Sequence, residues 1–215
     1  VSRSLVRGID HRIATDVRDL SHATLSDQEI MEDWQVPLLE AMARHVTASH
    51  GDVLEIGFGR GVSSEMIQRS GVRSHTIVEA NDHSVRHYFA PWRARRPDSA
   101  IRLLHARWQD ITGQLGLFDG IFFHAFPMNE QEFADYVLRS VTFAEHAFAP
   151  MAAHLRDGGV FSYLTTEIDS LSRGHQRRLF QHFSEITLHV ETLRLPDDVK
   201  DMWWANSMVV VTAVK

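Results

Sequence analysis

The run Val53-Leu54-Glu55-Ile56-Gly57-Phe58-Gly59-Arg60-Gly61 sets three glycines at alternate positions after an apolar stretch, and a second apolar stretch ends on Glu79. Glycine at 57, 59 and 61 lets the main chain turn sharply and approach a ligand with no Cβ in the way. The helix that should start there presents amide groups suited to an anionic or strongly polar ligand end. Glu79 follows about 20 residues on, at the carboxyl end of the next strand, where a carboxylate can take both hydroxyls of a ribose. Strand, glycine turn, helix start and acidic tip together predict a nucleotide or nucleoside site. His124 closes a fourth apolar run, in the crevice where open α/β sheets bind ligands, and an imidazole there can orient an acceptor or take its proton. The competing reading is a hydrogen-bonded rim histidine.

These residues need a scaffold, and the hydrophobic pattern supplies one. Ser26-Asp27-Gln28-Glu29 is a capping-box pattern opening a helix that carries Ile30, Met31, Trp34, Leu38, Leu39, Met42 and Val46, with Pro37 expected to kink or divide it. Strands are expected at Asp52 to Ile56, His75 to Glu79, Ile101 to His105, Leu117 to Ala125 and Val160 to Leu164, the last preceded by an Asp157-Gly158-Gly159 turn. Between them the spacing predicts helices from Gly61 to Arg69, from Asp82 to Ala94 and from Glu130 to Leu155, the last interrupted at Pro150. After a helix over Ser172 to Phe183, Ile186 to Leu193 and Met208 to Val214 have no helix between them and should pair antiparallel. The fold class is therefore α/β, a doubly wound, mostly parallel seven-stranded sheet with a C-terminal antiparallel hairpin. Residues 1–25 are expected to form an arm, and 26–215 the catalytic domain.

Composition narrows the function classes. The formal charge of −6 argues against general affinity for nucleic acid or membrane surface, and no apolar run is long enough to span a bilayer. The absence of cysteine excludes disulfides, thiolate metal sites and a cysteine nucleophile. His83 and His87 have i, i+4 spacing but no evident third ligand, so no metal site is expected. Arg93, Arg95 and Arg96 read as a solvated helix end. The expected setting is a cytoplasmic monomer or homodimer acting on a small molecule.

The motif ends on Gly61, with Val62 following, where a nicotinamide dinucleotide fingerprint would place its third glycine one residue later. That spacing, Glu55 and the terminal hairpin resemble the class I methyltransferase fold that binds S-adenosylmethionine. More closely, Met31-Glu32-Asp33-Trp34-Gln35-Val36-Pro37, Val53 to Gly59, Glu79-Ala80-Asn81-Asp82, Trp108-Gln109-Asp110, Phe118-Asp119-Gly120-Ile121, Glu145-His146-Ala147-Phe148 and Trp203-Trp204-Ala205 resemble, in order, segments of guanidinoacetate N-methyltransferase. The resemblance implies S-adenosylmethionine as cofactor, with contacts from Trp34, Gly57, Gly59, Glu79, Ala80, Trp108 and Gln109. Glu55, Phe58, Gly61 and His124 join them as parts of the same motif and crevice. It also implies that two carboxylates hold the guanidinium; here those positions are Gln35 and His124. Both are candidate catalytic residues, with Gln35, Phe126, Trp203 and Trp204 as candidate substrate contacts. A small-molecule methyltransferase acting on nitrogen, though not on guanidinoacetate, is the expectation. The alternatives are an enzyme that cyclises the cofactor's aminobutyl chain and releases methylthioadenosine, and a non-catalytic cofactor-binding module.

Overall fold

The computed structural model describes residues 31–127, 130–197 and 203–215; the capping box, Ile30 and the expected N-terminal arm lie outside them. Seven strands form one sheet: β1 (Asp52–Ile56), β2 (Ser74–Glu79), β3 (Ile101–His105), β4 (Phe118–Phe123), β5 (Leu155–Leu164), β6 (Glu185–Thr192) and β7 (Ser207–Val214). Their order is β3-β2-β1-β4-β5-β7-β6. From β3 through β2, β1 and β4 to β5 each adjacent pair is parallel, whereas β7 runs antiparallel to both β5 and β6. The chain reverses direction at β1, from the β2–β3 side of the sheet to the β4 side, so the crevice opens beyond the carboxyl ends of β1 and β4.

The helices are α1 (Val36–Val46), α2 (Val62–Arg69), α3 (Ala90–Ala94), α4 (Trp108–Ile111), α5 (Glu130–Phe133), α6 (Glu145–Ala153) and α7 (Arg173–Leu179). α1 turns Leu38, Leu39, Met42 and Val46 inward at helical spacing, and all four are buried. It approaches the sheet so closely that a Cβ on Gly120 would sit 1.9 Å from the Val46 carbonyl oxygen. Only glycine in β4 permits that contact. A smaller apolar cluster of Phe58, Ile77, Phe89 and Trp92 lies apart from the main core.

Three expectations about helices change. Pro37 does not kink a helix; it occupies the first turn of α1, after a 3₁₀ turn over Asp33–Gln35, where its missing N–H costs nothing. Pro150 lies inside α6 and does not end it. The expected helix from Glu130 to Leu155 breaks earlier, at 139–144, where the Val141 amide turns to the Glu145 carboxylate at 2.8 Å. The helix before Pro97 is also not uniform: a π-helical turn over Ser84–Phe89 precedes α3, local unwinding that accommodates Pro91. Arg93 and Arg96 are not merely solvated. Arg93 donates to the carbonyls of Arg96, Pro97 and Ser99, and Arg96 pairs with Glu65 and lies 4.5 Å over the Trp92 ring.

The amino ends of the strands are tied by charge. Arg73 donates to both oxygens of Asp52 at 2.8 and 2.6 Å and to Asp119 at 3.0 Å. Arg156 donates to Asp119 and Asp52, each at 2.9 Å, so two arginines and two aspartates join the amino ends of β1, β4 and β5 with the residue before β2. The Arg73 guanidinium, with further hydrogen bonds from Ser74 and Arg156, holds the Asp52 carboxyl well below the usual carboxylate range despite the opposing effect of burial. A carboxyl with a depressed folded-state pKa stabilises the fold fully above its unfolded value of about 3.9, and that contribution is lost as pH falls through the folded value. Asp52→Asn should therefore lower unfolding free energy by on the order of 1 kcal/mol near neutrality, part of the ionic gain being screened by solvent. Denaturant titrations across pH should show a constant gap to wild type above about pH 5 that narrows below about pH 4; a gap independent of pH down to acid would contradict it.

Candidate functional site

The crevice is built where β1 ends between its neighbours. The Gly57 amide donates to the Val78 carbonyl of β2 at 2.9 Å, and the His124 amide donates to the Ile56 carbonyl of β1 at 2.9 Å. Gly57 has φ +91°, and a Cβ there would fall 2.1 Å from the His124 carbonyl oxygen. The loop then turns, and the Phe58 and Gly59 amides both donate to Oε2 of Glu79 at 2.9 Å. Oε1 of Glu79 accepts from the Asn81 amide at 2.7 Å. The acidic tip of β2 thus clamps the glycine turn after β1. The loop amides expected to face a ligand anion are already satisfied by Glu79.

Around this clamp lies a cleft of about 890 Å³, counting its open mouth. Gly57, Phe58, Gly59, Glu79, Ala80, Trp108, Gln109, His124 and Phe126 all line it. Gly61 does not; with φ +80° it is the residue from which α2 starts, packed under the Phe58 ring. Glu55 is also absent from the wall. It is fully buried, accepting from the hydroxyls of Ser63 and Ser64, with Nε2 of His75 2.9 Å from its Oε2. Its motif position reflects anchorage of the first turn of α2, because a buried carboxylate is tolerated only when paired and hydrogen-bonded. Breaking such a pair typically costs about 3–5 kcal/mol.

Among the described residues the wall includes none of Trp34, Gln35, Trp203 and Trp204. Trp34 and Gln35 are buried in and beside the 3₁₀ turn that leads into α1. Trp203 is buried, while Trp204 is 76% exposed and stacks on it at 6.1 Å.

At the β4 end, Nε2 of His124 is buried without a hydrogen-bond partner among the described residues. Burial lowers the His124 pKa to about 4, so the imidazole is neutral near pH 7. The Phe126 ring meets it edge-on at 5.2 Å and stacks on Phe143 at 5.0 Å. Behind them His146, likewise lowered to about 4 by burial, stacks on Tyr136 at 3.8 Å and lies tilted against Trp108 at 5.3 Å. Sequence reasoning missed Arg60, Arg107 and Glu132 in the wall. Arg107 pairs with Glu132 from α5; Arg60 donates to the Met31 carbonyl at 3.1 Å and lies 3.5 Å from Asp33. Arg60 and Arg107 follow strand ends and were accessible to the rule that ligands sit there, whereas nothing local marks Glu132. The described residues hold no group of three His, Cys, Asp or Glu arranged to bind a metal, and no helix long and apolar enough to cross a membrane.

Comparison with known proteins agrees with this architecture. The sequence profile of guanidinoacetate N-methyltransferase matches residues 12–195. Protein arginine N-methyltransferase 2 of Aspergillus oryzae is 27% identical over 125 residues, covering 54% of this chain and 30% of that protein. Its counterpart from Eremothecium gossypii is 29% identical over 106 residues, 45% of this chain and 25% of that one. The chain thus spans less than a third of these relatives. Among solved structures, spermidine synthase from Thermotoga maritima superposes with a TM-score of 0.58 at 16% identity, covering 86% of this chain and 61% of that one. An O-methyltransferase from Bacillus cereus in complex with SAH does so at 0.54 and 14%, covering 99% and 91%. At such identities the superpositions speak for the fold. Glycine turn, acidic clamp and strand order agree with the profile over most of the chain: the protein belongs to the guanidinoacetate N-methyltransferase family, class I methyltransferases that use S-adenosylmethionine.

Proposed function

We propose that the chain methylates a nitrogen of a small molecule other than guanidinoacetate. One observation carries the reading: the cleft that begins at the Glu79 clamp ends at His124, whose buried Nε2 has no partner among the described residues. His124 stands where the resemblance places a carboxylate that holds a guanidinium and takes its proton. A neutral imidazole can accept a proton but offers a buried cation no counter-charge, and an uncompensated guanidinium there would be strongly disfavoured. Nitrogen as the methylated atom is supported by the family description and by the names of the arginine N-methyltransferase relatives.

The donor set suits S-adenosylmethionine. Glu79 lines the cleft at the tip of β2, and a carboxylate there is an acceptor of the kind that takes ribose hydroxyls. Trp108, with Gln109 beside it, presents an aromatic surface for adenine at the end of β3. Gly57 and Gly59 line the cleft where the cofactor's methionine end would lie near the loop. Bound there, the cofactor supplies an electrophilic methyl group. The chain's own part is to hold the acceptor in line, exclude water and receive the acceptor's proton at Nε2 of His124. The neighbouring aromatic rings keep water from that nitrogen.

Incubation with S-adenosylmethionine and a panel of amines should yield S-adenosylhomocysteine and an N-methylated product. Methylthioadenosine in place of S-adenosylhomocysteine would transfer the chemistry to the aminobutyl chain, and tight cofactor binding without turnover would mark a non-catalytic module. Glu79→Ala should weaken S-adenosylhomocysteine binding by about tenfold or more, ~1.4 kcal/mol, with the circular dichroism spectrum retained; unchanged affinity would remove the ribose role. His124→Ala should lower kcat by about 100-fold or more with cofactor affinity nearly unchanged, and a fully active variant would return His124 to a packing role.

A further inference from the structure

Among the described residues the cleft carries no fixed charge to spare. Its wall contains four charged side chains among the described residues: Arg60, Glu79, Arg107 and Glu132. Each is engaged: Glu79 by three loop amides, Arg107 and Glu132 by one another, and Arg60 by the Met31 carbonyl and Asp33. His124 adds a neutral imidazole. An acceptor with a permanent charge would find no unpaired counter-ion here, and desolvating that charge would oppose binding.

The His124 end does offer an aromatic platform. Phe126 remains 49% exposed although it lines the cleft. One face is covered by Phe143, nearly parallel at 18°, and its neighbour His124 stands at 80° to it. Such an arrangement holds the ring rigidly and leaves its other face for a further stacked ring, the offset geometry aromatic pairs prefer. Phe143 is itself backed by Phe123 of β4 at 6.2 Å, so the platform is founded on the sheet. Beside it lies Nε2 of His124, which like Nδ2 of Asn81 and Nε of Arg107 in the same wall is buried with no partner among the described residues.

We propose that the acceptor is a flat, uncharged aromatic molecule carrying an N–H, stacked on the open face of Phe126 with that N–H directed to Nε2 of His124. The inference rests on the N-methyltransferase reading above and names its substrate class. The acceptor nitrogen's lone pair forms the new N–C bond while the donor's carbon–sulfur bond breaks and its electron pair stays on sulfur. The N–H proton passes to His124 and from there to solvent. Phe126 acts through position alone, presenting the ring plane so that the nitrogen faces the methyl group.

The test is calorimetric titration of the full chain, saturated with S-adenosylhomocysteine, with 6-aminoquinoline at mildly alkaline pH, where that probe is uncharged. Guanidinoacetate serves as the charged comparison. The expected result is binding of 6-aminoquinoline in preference to guanidinoacetate. Phe126→Ala should weaken it by about tenfold, Phe126→Trp should preserve it, and both variants should bind S-adenosylhomocysteine as wild type does. Preference for guanidinoacetate, or equal probe affinity in Phe126→Ala, would overturn the proposal. Retained S-adenosylhomocysteine binding with no 6-aminoquinoline binding would sink the aromatic acceptor alone. Failure to bind S-adenosylhomocysteine would instead sink the reading on which it rests.

Discussion

At Gly57 three strand ends meet in a space that admits no side chain. Its amide bonds to β2, the preceding carbonyl accepts from His124 at the end of β4, and the His124 carbonyl occupies the place a Cβ would take. The left-handed backbone at this residue then sends the chain across the tip of β2, where Glu79 collects the next two amides. Any larger residue would push β1 and β4 apart and move both Glu79 and His124 relative to the loop. The two chemical ends of the cleft, a carboxylate and an imidazole, are thereby held at fixed separation by main-chain hydrogen bonds and not by flexible side chains. Sites supported in this way keep the precision that alignment of donor and acceptor demands.

Two carboxylates near this point have opposite fates. Glu55 points beneath the loop, where Ser63, Ser64 and His75 surround it and solvent cannot reach it. Glu79 lines the cleft and accepts three loop amides. Alternation along β1 decides the first: Glu55 is on the opposite face from its neighbours Leu54 and Ile56. Termination of β2 decides the second, since Glu79 is its last residue. The sheet also divides its labour along its length. Charge pairs among Asp52, Arg73, Asp119 and Arg156 brace the amino edge, while the cleft opens at the carboxyl edge. Stability placed at one edge permits the other to stay open.

A second buried network braces the carboxyl end of β5. The Tyr163 hydroxyl lies 2.5 Å from Nε2 of His175, whose Nδ1 is 3.1 Å from Glu167, and Glu167 in turn accepts the Ser172 amide at 2.9 Å. Tyr163 and His175 are fully buried, so this chain of polar groups orders the segment between β5 and α7 and has no opening to the cleft wall. The contrast with His124 is instructive. Of these two histidines near neighbouring strand ends, His175 has both ring nitrogens engaged, whereas the buried Nε2 of His124 has no partner among the described residues.

Most strand positions, the parallel order ending in an antiparallel hairpin, the glycine turn and Glu79 were legible in the sequence; β5, however, begins at Leu155, where a helix was expected to end, and Asp157-Gly158-Gly159 lies within the strand instead of in a turn before it. The legible features depend on local period and on the special backbone freedom of glycine, which a linear reading captures. His124 and Phe126 were legible too, as residues at the end of an apolar run. The sequence did not reveal that Glu55 is sealed beneath the loop or that Arg107 meets Glu132 across 25 residues. Nor did it place the break at 139–144, where a side-chain carboxylate captures a backbone amide. Spacing along the chain reports which face of an element is apolar. Which polar side chain reaches a cavity, and which finds a partner first, depends on residues distant in sequence, and only the packed tertiary structure decides it.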